Sequence, residues 1–156
     1  MRKVLQNVSM LSSPSAGTDW IDLLSLATAE LSSEDPAFPV ENALKPGETR
    51  GFRAGIPGLQ RIRLTFDHPR PIRKIRMGFE EETTSRSQEF ALTVTHADGS
   101  RREIIRQQWS FSPGGSTTEV EEYTVQLDDV LSLELTVDPG RHDKNVFVTL
   151  QTLRIA

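Results

Sequence analysis

Arg61-Ile62-Arg63-Leu64-Thr65-Phe66 alternates polar and apolar side chains without a break. A period of two puts Ile62, Leu64 and Phe66 on one face of an extended chain and the arginines on the other, as in a strand buried on one side. The alternation returns along the chain. Ile75, Met77 and Phe79 alternate with Lys74, Arg76 and Gly78, and Phe90, Leu92 and Val94 with Ala91, Thr93 and Thr95. Asp98-Gly99 is a hairpin signal, and Arg102 to Trp109 returns from it. Tyr123, Val125 and Leu127 form the next set, then Leu131, Leu133, Leu135 and Val137, and Val146, Val148 and Leu150 open a last strand ending near Ile155. Asp67-His68-Pro69-Arg70-Pro71 and Asp128-Asp129 read as turns between strands. With one more extended segment at residues 29–33, the count is eight. Short strands separated by turns, with almost no helix, predict an all-β sandwich or barrel, each sheet having one wet face.

Outward from this region the pattern weakens. Residues 32–58 hold four prolines and four glycines and read as loop, with one turn of helix available at residues 40–44. Residues 19–28 fit either a helix, with Trp20, Leu24, Ala27 and Leu31 at helical spacing and Asp19 as cap, or an extended segment. Residues 1–26 therefore read as an amino-terminal extension packing on a domain of residues 27–156. Val4 to Met10 fits a short strand before the Ser/Pro/Gly-rich stretch at residues 12–18.

The chain of 156 residues has the length of one domain, and 36% hydrophobic with 26% charged residues excludes a disordered chain. With no cysteine, disulfides, thiolate metal sites and thiol nucleophiles are excluded. No apolar run of leader length follows Met1-Arg2-Lys3, so the expected location is cytoplasmic. The net charge of −4 does not suit a dedicated duplex-DNA binder. Residues 50–76, however, carry eight basic residues against Asp67 alone. Two readings are open: a solvated strand face balanced by acidic neighbours in the fold, or an anion-facing patch.

The order of the pieces resembles the discoidin-type, or coagulation-factor type C, domains of the galactose-binding-like superfamily. The resemblance is carried by Ser32-Ser33, by Val40-Glu41-Asn42-Ala43-Leu44, by Thr49 shortly before Phe52, by the strands at residues 60–64, 71–75 and 90–94, and by the ending at residues 146–155. It implies a jelly-roll β-sandwich of about eight mainly antiparallel strands. It also implies a non-catalytic module binding carbohydrate through loops at one end, with no cofactor. The layout of residues 32–54 is also similar to the amino-terminal domain of a single-strand-break repair scaffold. That alternative implies protein-interaction or nucleic-acid-end binding. Many glycan-binding members hold calcium through an aspartate and a glutamate; here those places are Lys45 and Thr152. Calcium prefers carboxylate and carbonyl oxygens, so no metal is expected.

No catalytic motif appears. His68, His96 and His142 are scattered without metal spacing, and no nucleophile elbow or phosphate-cradling loop occurs. Adjacent carboxylates such as Glu121-Glu122 point to opposite faces of a strand and do not converge. The expected core includes Phe66, Phe79, Phe90, Tyr123 and Phe52. The family's binding end corresponds to residues 34–40, 45–54, 82–87 and 139–145. These hold Phe38, Arg50, Arg53, Arg86, Arg141 and His142, able to stack on a sugar or donate hydrogen bonds to it or to an anion. Phe38 could equally cover the bottom of the sandwich. Because a metal bound only to the native state raises its stability, a chelator should leave the melting temperature unchanged. A drop of several degrees, restored by calcium, would overturn the reading of Lys45 and Thr152.

Overall fold

A computed structural model describes residues 20–47, 50–80, 86–111, 118–140 and 146–156. The elements in chain order are α1 (Leu23–Leu26), β1 (Ala27–Leu31), α2 (Glu41–Leu44), β2 (Phe52–Arg53), β3 (Gln60–Glu80), β4 (Arg86–His96), β5 (Arg101–Phe111), β6 (Thr118–Asp138), β7 (Thr149–Leu150) and β8 (Thr152–Ile155). All pairings are antiparallel. The main sheet runs β1-β3-β6-β4-β5, with β8 also on β3, and β2 pairs with β7 apart from it.

The eight strands are not the eight read from the sequence. Residues 67–71 and Asp128-Asp129 do not end strands; they lie inside β3 and β6, each of 21 residues. A straight strand of that length would run about 70 Å, too long for a domain with a radius of gyration near 15 Å. Both strands therefore bend, and the bends face each other. The β3–β6 register shifts between Thr65 and Arg70, again to Ile72 and again to Lys74, while Asp129 in β6 adopts a φ of 51°. The first half of β3 pairs with β1 and the second half of β6; the second half of β3 pairs with β8 and the first half of β6. One hydrogen-bonded sheet thus folds over into two layers. Three smaller corrections follow. The first strand is Ala27–Leu31, two residues earlier than expected. The last strand starts at Thr149 and is split. Phe52–Arg53 adds a two-residue strand inside the expected loop.

The core lies between the layers. Ile62, Leu64, Phe66, Ile72, Ile75, Met77 and Phe79 of β3, Phe90, Leu92 and Val94 of β4, and Leu133, Leu135 and Val137 of β6 are all at most 2% exposed. Each fully buried side chain of this kind contributes about 1.5–3 kcal/mol. Residues 19–28 resolve as both alternatives in turn: one helical turn, then strand. Leu23 is buried, and Ile21 N–H donates to the Ile155 carbonyl at 2.7 Å. Asp19 and residues 4–10 lie outside the described residues.

Tyr123 is a correction to the expected core. It is only half-buried, and its hydroxyl donates to Oε1 of Gln107 on β5, joining the edge of one layer to the other. Burial, and secondarily the charge of Glu121, push its phenol from 10.0 to about 12. It is the sole tyrosine, so phenolate absorbance reports it alone. The folded protein should titrate near 12 and the denatured chain near the ordinary value of about 10. Because the folded state holds the proton more tightly, this stabilisation is intact below about pH 10 and is lost as pH rises toward 12.

Candidate functional site

The loop end is assembled by backbone hydrogen bonds. Gly51 (φ 71°) lets the chain turn into β2; a Cβ there would stand 2.9 Å from the Leu150 carbonyl oxygen and from Oε1 of Gln151. Alternation across β2 then buries Phe52 and exposes Arg53. Arg53 N–H donates to the Phe38 carbonyl (3.0 Å), and the Arg53 carbonyl accepts from Asp35 N–H (2.9 Å). On the other side, Arg53 lies in register with Thr149 of β7. Thr149 Oγ1 donates to the Glu80 carbonyl at 2.9 Å, tying this edge to the end of β3.

The serine pair proves to be a fastening rather than a ligand contact. Ser33 Oγ donates to Oε1 of buried Gln60 (2.7 Å) and accepts from Gly55 N–H (2.9 Å) and Ile56 N–H (3.2 Å). Ser32 Oγ accepts from Arg61 N–H at 2.9 Å. The nearby carboxylates are likewise occupied by backbone: Glu34 accepts from Val40 N–H (2.8 Å) and Asp35 from Ala37 N–H (2.9 Å).

Arg53 does not reach into solvent as a free chain. Its guanidinium carbon sits 4.8 Å from the centre of the Phe147 ring, a cation–π stack. Phe38 and Phe147 are both half-buried. Of the residues expected to form the site, Phe38 and Arg53 are thus brought together, and exposed Arg50 opens the same segment. Arg86 starts β4 in register with Phe111, its side chain outside the described set; Arg141 and His142 lie outside the described residues. Phe147 was missed. Its signal was present: it stands between buried Val146 and Val148, so alternation turns it outward.

The basic stretch at residues 50–76 meets acidic partners. Arg63 lies 3.1 Å from Glu134 and 3.8 Å from Glu30, Arg73 2.9 Å from Asp128, and Lys74 3.4 Å from Glu122. On the neighbouring strands Arg101 pairs with Glu134 at 2.7 Å, and Arg106 with Glu103 and Glu89. Part of the stretch is thus balanced by carboxylates, while Arg70 stands over the Phe66 ring at 5.9 Å and Arg76 lies in register with Arg154 of β8. A concavity of about 800 Å³ lies at the opposite end, beside the Asp98-Gly99 hairpin. Its His96 is spent on the Asp128 carbonyl at 2.7 Å.

The two places compared with calcium ligands lie on different elements. Lys45 is exposed after α2, and Thr152 sits in β8 opposite Gly78. Among the described residues no three His, Cys, Asp or Glu side chains converge, and no helix is long and apolar enough to cross a membrane.

No protein-family model and no curated protein sequence matches the chain. Solved structures do. A family 32 carbohydrate-binding module of NanJ from Clostridium perfringens, in complex with galactose, superimposes with a TM-score of 0.60 at 13% identity, covering 87% of this chain and 96% of that one. The family 32 module of AlyQ in complex with 4,5-unsaturated mannuronic acid gives 0.57 at 14% identity, covering 89% and 98%. Reduced XRCC1 bound to the DNA polymerase β catalytic domain gives 0.59 at 16% identity, covering 84% and 94%. The fold is therefore the galactose-binding-like β-sandwich that these solved modules share.

The geometry at Gly51 generates a prediction. Gly51→Ala should cost about 1–3 kcal/mol in urea unfolding, the range for a strained backbone position, because both its φ and the space beside it forbid a Cβ. An unchanged midpoint would show that the β2–β7 edge is loosely held.

Proposed function

We propose that the protein is a non-catalytic carbohydrate-binding module whose site is the loop end around Phe38, Arg53 and Phe147. The observation that carries this reading is the exposed Arg53 guanidinium, seated on an aromatic ring and flanked by the Phe38 loop. A site of this kind needs a few fixed polar donors beside apolar surface, and no bond is made or broken in it. The fold adds support, since solved modules of the same architecture are recorded with galactose and with an unsaturated uronic acid. Arg50, Arg86, Arg141 and His142 belong to the same proposed end by their place in the chain.

The likeness to XRCC1 keeps an interaction or nucleic-acid-end-binding module as the second reading. The strand face is less suited to it, because Arg63, Arg73, Lys74, Arg101 and Arg106 are already paired with carboxylates. Calorimetry against a panel of oligosaccharides and against nicked duplex DNA separates the two. The expected result is binding of at least one glycan, with Arg53→Ala weakening it roughly ten- to a hundredfold, the worth of about 1.5–3 kcal/mol for a charged hydrogen bond. Thermal stability should hardly change, as Arg53 is exposed. Arg61→Ala, on the strand face, should bind normally. Binding of nicked DNA alone, with a steep salt dependence, would replace this proposal with the second reading.

A further inference from the structure

Among the described residues the arginines are held in different ways. On the outer sheet face several meet carboxylates: Arg63 and Arg101 share Glu134, and Arg106 holds Glu103 and Glu89. Arg70 lies over the Phe66 ring at 5.9 Å. Arg53 is held differently. Its backbone is fixed on both sides, to Phe38 and Asp35 and to β7, and its guanidinium carbon lies over the Phe147 ring, 4.8 Å from its centre. Among the described residues its side chain makes no hydrogen bond and no ion pair. The two carboxylates of the adjoining loop, Glu34 and Asp35, are committed to backbone N–H groups.

A guanidinium held over a ring and making no hydrogen bond keeps its N–H groups open. Its edge carries parallel N–H donors spaced to match the two oxygens of a carboxylate or sulfate, and such bidentate pairs are stronger and more selective than bonds to a neutral hydroxyl. Stacking also settles the rotamer before the ligand arrives, so less side-chain entropy is lost on binding. For a neutral sugar this arrangement is wasteful, since a fixed cation is desolvated without a partner charge. Phe147 is occupied on the face that Arg53 covers, which leaves Phe38 as the aromatic beside the incoming ring.

Resting on the carbohydrate-binding reading above, we propose that the ligand is an acidic sugar, whose oxyanion takes the open edge of Arg53 in a bidentate pair. Carboxylate and sulfate share this chemistry, and the test separates them. The intact chain is titrated calorimetrically with oligogalacturonate and oligomannuronate, with the methyl ester of each, and with a sulfated galactan oligosaccharide and its desulfated form. At least one anionic member should bind tenfold or more tightly than its uncharged counterpart, and which one identifies the oxyanion. That affinity should fall severalfold between about 20 mM and about 300 mM salt, as screening of an exposed pair requires. Arg53→Lys, which keeps the charge and loses the fork, should remove most of the preference, while Arg61→Lys leaves it intact; melting curves of both variants confirm the fold. Equal binding of an acid and its methyl ester would overturn the charge inference and leave the carbohydrate reading standing. If no glycan of either kind binds, both fall. Tighter binding of nicked duplex DNA than of any glycan would assign the fork to phosphate and overturn both.

Discussion

A strand has a side-chain period of two, and this constrains the whole molecule. β3 and β6 each serve both layers of the sandwich, so each must present apolar side chains to the same core before and after it bends. A strand that bends toward its buried face keeps that face inward, provided that any residues added at the bend are absorbed locally. At both bends the alternation is interrupted. In β3 the buried set is even-numbered at Ile62, Leu64 and Phe66 and odd-numbered at Ile75, Met77 and Phe79. In β6 it passes from Leu127 to Val130 and then to Leu133, Leu135 and Val137. The extra residues are absorbed by the register shifts of β3 and by the left-handed backbone at Asp129. Arg73 spans this corner, its guanidinium bonded to the Leu127 carbonyl at 2.7 Å and to Asp128 at 2.9 Å.

The same constraint explains what was legible in the sequence. Alternation over residues 61–66, 74–79, 90–96 and 131–137 gave the strands and their buried faces. The joints were misread because turn chemistry and bulge chemistry look alike. Pro69 and Pro71 lack an N–H and mark a turn or an interrupted ladder equally well, and Asp128-Asp129 suits either. Only pairing with a partner strand distinguishes them, and pairing is not local. The two-residue strand Phe52–Arg53 offered no period at all; it exists because Gly51 permits the entry and β7 supplies the partner.

The site was legible to a smaller degree, for a different reason. Residue type nominated Phe38 and Arg53, but nothing local shows that residues 38, 53 and 147 meet, since the contacts joining them span fifteen positions in one case and 94 in the other. Charge along the chain was misleading in the other direction. The cationic run at residues 50–76 is partly balanced in the fold, where Glu134, Asp128 and Glu122 come from β6 to face Arg63, Arg73 and Lys74. Such exposed pairs contribute about 0–1 kcal/mol each to stability. Their larger consequence is that they weaken the field of the sheet face around Glu134, while at the loop end Arg53 has no carboxylate partner among the described residues.

This distribution fixes the kind of binding the loop end can support on the proposed reading. Among the described residues, the carboxylates of Glu34 and Asp35 are tied into the loop by backbone N–H groups, and Arg53 over Phe147 is the side chain left open to a ligand. One charged, bidentate contact carries about 1.5–3 kcal/mol, which alone amounts to a factor of about ten to a hundred in affinity. Selectivity between a charged and an uncharged sugar can draw on all of that energy, because a ligand lacking the oxyanion leaves the fork without its partner. Total affinity cannot, because rigid-body entropy must first be overcome. A site built this way discriminates by charge more strongly than it holds. The hydrogen bonds of Ser33 and the β2–β7 pairing then matter for function as much as for stability, since they keep Arg53 over Phe147 before any ligand arrives.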